Sequence, residues 1–107
     1  MSEAQAVSER AALTSTQRKT LRGMAHELEP VVHVGRSGIN ERVLSAVSAA
    51  LDDHELIKVK LAADRDERKE MASQIEQGCQ AELVGLIGGI AILYRPNPDP
   101  QKRQIQI

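Results

Sequence analysis

The residues of this chain best suited to chemistry form the run Gly35-Arg36-Ser37-Gly38. A Gly-x-x-Gly turn between a strand and a helix lets backbone approach a ligand closely, because neither glycine carries a β-carbon. Amide N–H groups at the start of the following helix point outward and, together with the helix dipole, favour an anion such as phosphate. Arg36 adds a planar donor fork that matches phosphate, and Ser37 adds a hydroxyl. The turn lacks the lysine and the length of a Walker loop. Two glycines three apart are also what a tight strand-to-helix connection uses, so the turn alone does not decide between the two readings.

The remaining reactive side chains do not form a constellation. His26, His33 and His54 never make a close-spaced pair, and Cys79 stands alone, so no zinc pattern appears. There is no nucleophile motif and no dinucleotide fingerprint. Asp64 and Asp66 could in principle hold a metal ion, but helix capping explains them with fewer assumptions. The expectation is a protein that is not an enzyme, with no cofactor, no metal site and no small-molecule substrate.

Charge and composition narrow the partner. With 14 Lys and Arg against 15 Asp and Glu, the net charge is −1, so a nucleic-acid site must be a local patch. Tyr94 is the single aromatic residue, which argues against base stacking on aromatic platforms. Lys58 and Lys60 alternate with apolar residues and share one face of a strand. Lys19 and Arg22 lie on the polar side of a helix, where Arg18, Arg22 and His26 are spaced along one side, and Arg95 ends the last strand.

These groups need elements to position them. At 107 residues, 41% hydrophobic and 27% charged, the chain suits one globular domain. No apolar run spans a bilayer, the start lacks a secretory pattern, and one cysteine fits a reducing cytosol; a cytoplasmic location is expected. Thr14 with Gln17 forms a capping box before the stripe Leu21, Met24, Ala25, Leu28, giving a helix that ends before Pro30. Val31 to Val34 reads as a buried strand. Asn40 caps a second helix with Val43, Val47, Ala50 and Leu51 inward. Glu55 to Leu61 is a strand with Ile57, Val59 and Leu61 on one face. Asp64 with Glu67 caps a third helix packed through Met71, Ala72 and Ile75 and closed by Gly78. Leu83 to Ile87 and Ile90 to Tyr94 flank Gly88-Gly89, a pair suited to the positive φ angles of a two-residue hairpin. Cys79 reads as a small buried hydrophobe.

The expected fold is α/β, of the α+β two-layer kind, with three helices and a mixed four-stranded sheet in the order α-β-α-β-α-β-β. Residues 1–12 form an N-terminal tail, 13–96 the domain, and 97–107 a C-terminal tail running over the surface.

From Leu13 to Pro96 the chain resembles the CRM domain, in particular the small single-domain bacterial YhbY-like proteins. The resemblance rests on Gln17-Arg18-Lys19, Leu21, Ala25-His26, Leu28, Pro30-Val31-Val32, the Gly35 to Gly38 turn, His54 to Lys60, and Leu93-Tyr94-Arg95-Pro96. It implies a fold similar to the C-terminal domain of bacterial translation initiation factor three. It also implies a basic RNA-binding surface and association with large-subunit ribosomal precursors; plant organellar relatives act in intron splicing. Carried over by position, the implied RNA contacts are Gly35, Arg36, Ser37, Gly38, Lys19, Arg22, Lys58, Lys60 and Arg95. Ile39-Asn40 departs from the Leu-Thr common in the family, yet Asn caps a helix as Thr does. The expected function is a monomeric ribosome-assembly factor binding ribosomal RNA, with no membrane partner. The competing readings are an intron-splicing cofactor and a protein-interaction module using the same basic face.

Overall fold

Each helix begins where a short polar side chain closes its first turn. The computed structural model describes residues 13–107; the expected N-terminal tail, residues 1–12, lies outside them. Thr14 Oγ1 accepts from Gln17 N at 3.0 Å while Gln17 Oε1 accepts from Thr14 N at 2.9 Å, opening α1 (Ser15–Ala25). Asn40 Oδ1 accepts from Val43 N at 2.9 Å to open α2 (Glu41–His54). Asp64 and Glu67 form the reciprocal box of α3 (Arg65–Cys79). Such caps satisfy amides that have no partner inside the helix, each stabilising by about 1 kcal/mol.

The strands are β1 (Pro30–Val34), β2 (Leu56–Leu61), β3 (Glu82–Ile87) and β4 (Ile90–Tyr94), in sheet order β1-β2-β4-β3. β1 pairs with β2 in parallel, and both β2–β4 and β3–β4 are antiparallel, so the sheet is mixed as expected. Gly88 alone takes a positive φ, +60°, as the first residue of the hairpin loop; Gly89 does not.

Two apolar clusters, one on each face, hold the sheet. α2 and α3 bury Val47, Leu51, Met71, Ala72, Ile75 and Cys79 against Ile57, Val59, Leu61, Ala91 and Leu93. α1 buries Leu21 and Ala25 against Leu56, Val84, Ile92 and Tyr94. The two-layer expectation is therefore corrected to three layers, with α1 on one side and α2 with α3 on the other. The physical reason lies in alternation: Leu56, Ile92 and Tyr94 are apolar on the same face as Lys58, and that face needs a cover.

One further expectation changes. Gly78 does not close α3, which runs on to Cys79 and ends at Gln80 in the left-handed region, φ +53°. Gly78 instead lets α2 approach, since a β-carbon there would lie 2.9 Å from both terminal methyls of Leu44. The C-terminal segment is largely exposed and is tied to the domain by backbone hydrogen bonds. Buried Glu55, itself at φ +66°, accepts from Asn97 N, Gln104 N and Ile105 N at 2.7, 2.8 and 2.9 Å. Ile105 packs on the α1 cluster.

Candidate nucleic-acid interface

The Gly35 to Gly38 turn stands at the C-terminal ends of the parallel strands β1 and β2. Gly38 N donates to Gly35 O at 3.1 Å, closing a tight turn, and Gly38 takes φ +80°, a conformation that side chains other than glycine rarely hold. Arg36 and Ser37 are exposed at its tip. Nothing lies within 4 Å of where a β-carbon on Gly35 would sit, and its φ is not in the left-handed region. The fold therefore has a use for glycine at 38 and none at 35. Arg36 borders a cleft of about 590 Å³ whose other walls are Ala62, Ala63, Asp64, Glu67 and Met71. The two carboxylates there serve the α3 cap, as Glu67 N donates to Asp64 Oδ1 at 2.9 Å and Asp64 N to Glu67 Oε1 at 3.5 Å.

Beside the turn, the α1 side of the sheet is partly bare. Register partners His33, Lys60, Ile90 and Ile87 form one row across all four strands, on the same face as Lys58 and Ile92. α1 stops short of this row: His33 and Lys60 are exposed, Ile90 is half-buried, and Ile87 is 64% exposed. Lys60 thus stands free near the turn. Neither His33 nor the two isoleucines was expected at the site, although strict alternation along each strand carries the signal that places them on this face.

The other expected residues divide. Lys19 is exposed on α1. Arg22 is exposed but partly engaged, its Nη1 donating to Val84 O at 3.3 Å and its stem lying over Gly85. Lys58 reaches the end of α1, donating to Leu28 O at 3.1 Å and His26 O at 3.5 Å, where a cation also favours the helix dipole. Arg95 directly follows β4, beside β2, yet points to the α2–α3 side. It donates to Cys79 O at 2.8 Å, Ser48 O at 2.9 Å and Asp52 Oδ1 at 2.8 Å, with its side chain only 19% exposed. The structure therefore brings Arg36, Ser37, Lys60, Lys19 and Arg22 to open surface and places Lys58 and Arg95 in scaffold contacts. Arg18, on the same helix side as Arg22, pairs with Glu82 at 3.0 Å and donates to Leu83 O.

Among the described residues no three His, Cys, Asp or Glu side chains cluster closely enough to hold a metal ion, and no helix is long and apolar enough to cross a membrane. At the opposite end of β2, Met24, Leu28, Val31, Leu56 and Ile105 line an apolar hollow of about 390 Å³.

The sheet thus carries a Gly-x-x-Gly turn at one end and basic groups on open surface. The chain matches the CRS1 / YhbY (CRM) domain over residues 13–95 and belongs to that family. It is 45% identical over 92 residues to a protein of Pseudomonas aeruginosa named "Probable RNA-binding protein", covering 85% of this chain and 88% of the relative. It is 43% identical over 88 residues to a Haemophilus influenzae protein named "RNA-binding protein", covering 81% and 89%. The solution structure of a candidate RNA binding protein of Staphylococcus aureus superposes with TM-score 0.75 at 31% identity, covering 89% of this chain and 100% of that one.

Proposed function

We propose that this protein binds RNA through its sugar-phosphate backbone, with the Gly35 to Gly38 turn as the closest contact and Arg36, Lys60, Lys19 and Arg22 as the flanking cations. The observation that carries this reading is the pair of glycines. Gly38 is demanded by its left-handed backbone, whereas Gly35 has open space and ordinary φ, so its lack of a side chain serves something outside the fold. Family membership and the RNA-binding names of the relatives point the same way. Ser37 offers a hydroxyl beside Arg36, and Lys58 and Arg95 support the surface from within. With a net charge of −1, binding rests on this patch rather than on the whole field of the molecule.

The proposed role is assembly of the large ribosomal subunit in the bacterial cytoplasm, with precursor ribosomal RNA as partner. Gradient co-sedimentation with ribosomal precursors, before and after RNase, compares wild type with Arg36→Glu. Association that is abolished by RNase and by the charge reversal is the expected result. Association that survives both would replace this reading with a protein-interaction module.

A further inference from the structure

α3 presents two unlike sides at its N-terminal end. Asp64, Glu67 and Met71 face the cleft shared with Arg36, while Arg65, Arg68 and Lys69 line a second cleft of about 340 Å³ closed by Leu86 and Gly88 of the hairpin. Residues at i, i+3 and i+4 share one side of a helix, so the three cations converge, and no carboxylate is among the lining residues. Arg68 is drawn in against the hairpin: a β-carbon on Gly89 would be 3.9 Å from its Nη1. Its Nε is shut off from water and has no hydrogen-bond partner among the described residues. A buried donor left unpaired is costly, and three like charges on one helix side repel. Arg18 and Arg95 show the contrast, since each has its guanidinium taken up by at least one carbonyl and a carboxylate.

An anion seated in the cleft relieves the repulsion among the three cations. The first two turns of α3 separate this cleft from the one beside Arg36, so a polyanion crossing that end of the helix reaches both. We propose that Arg65, Arg68 and Lys69 form a second phosphate-contacting site, on the α2–α3 side of the sheet, that takes RNA backbone continuing from the Gly35 to Gly38 turn. This rests on the reading that the turn itself binds RNA. The bound strand then runs over the hairpin end of the molecule instead of staying on the α1 face.

The test uses the full chain, a fluorescein-labelled 12-mer of oligouridylate, and anisotropy titrations over a salt series. Arg65→Gln/Lys69→Gln removes two exposed charges, with unchanged circular dichroism as the check on folding. The double variant is expected to lose about tenfold in affinity and to flatten the slope of log K against log salt by about 1.4, or about 0.7 per phosphate contact. Arg36→Gln is expected to flatten it by about 0.7. Lys102→Gln, in the C-terminal segment away from both clefts, sets the baseline for removing a charge anywhere, expected to be within about twofold. If Arg36→Gln weakens binding while the double variant matches Lys102→Gln, the α3 site is wrong and the turn stands. If only the double variant weakens binding, the turn reading fails, and with it the proposal that the α3 cations take up backbone continuing from the turn. Equal affinity for a hexa-aspartate peptide, lost in the same double variant, would assign the cleft to an acidic protein surface and overturn the RNA site.

Discussion

Replacing each glycine of the turn by alanine separates what the fold needs from what a ligand needs. At Gly38, φ +80° puts an L-residue in the left-handed region, a cost of about 1–2 kcal/mol. Alanine also restricts the unfolded chain, which returns about 0.4–1 kcal/mol, so Gly38→Ala should lose about 0.5–1 kcal/mol net. For a domain of this size that is a fall in Tm of about 2–6 °C. At Gly35 there is no left-handed backbone and nothing within 4 Å of the new β-carbon, so only the unfolded-state term acts. Gly35→Ala should gain about 0.4–1 kcal/mol and raise Tm by a similar interval. RNA affinity should move the other way. A methyl group placed where backbone must approach should cost about 1.4 kcal/mol, or about tenfold in Kd. Urea or thermal unfolding reads the first pair of effects and anisotropy with oligouridylate reads the second. A Gly35→Ala protein that is more stable and binds RNA as wild type does would refute the close-approach argument.

Two more outcomes follow from side chains away from the turn. Arg95→Ala removes donors to two partly buried carbonyls and an ion pair with an Asp52 that is 72% exposed; the pair contributes little, the carbonyl bonds about 2 kcal/mol, and the urea midpoint should fall accordingly. Its salt slope for RNA should match wild type, and a flattened slope would restore Arg95 to the interface. Stability should also decline in alkali. Burial pushes the Cys79 thiol above its ordinary value of 9.0, with Arg95 pulling it partly back. Burial and then the Glu55 carboxylate push Tyr94 above 10.0, partly opposed by Arg103. Both groups hold their protons more tightly when folded, so their contribution is complete below about pH 9 and is lost as pH rises through the folded values. Urea midpoints at rising pH should fall from there, with a shallower fall in Cys79→Ala; a flat profile to pH 11 would contradict the burial of both groups.

Much of the scaffold was legible because its signals are local. Thr14 with Gln17, Asn40, and Asp64 with Glu67 all cap the helices their spacing announces. Gly88-Gly89 turns the expected hairpin, though one positive φ suffices. Gly78 misled because a glycine near a helix end resembles a terminator, and only the approach of Leu44 from α2 reveals its packing role. The anchoring of the C-terminal segment was not legible, because prolines announce the end of a ladder but say nothing of a buried carboxylate some fifty residues away in the chain.

By itself the sequence determined the element order, the caps, and the alternation that sets both lysines on one strand face. Each of these depends on neighbours within a few residues, where backbone geometry dictates which side chains meet. Only the tertiary structure decided how many layers there are and which cations remain available. Strand order and helix placement send Arg95 to two helix carbonyls and Lys58 to the end of α1, while leaving Lys60 bare and bringing Arg65, Arg68 and Lys69 together over the hairpin. A charge is free or spent according to which carbonyls and carboxylates long-range packing sets beside it, and no local pattern carries that information.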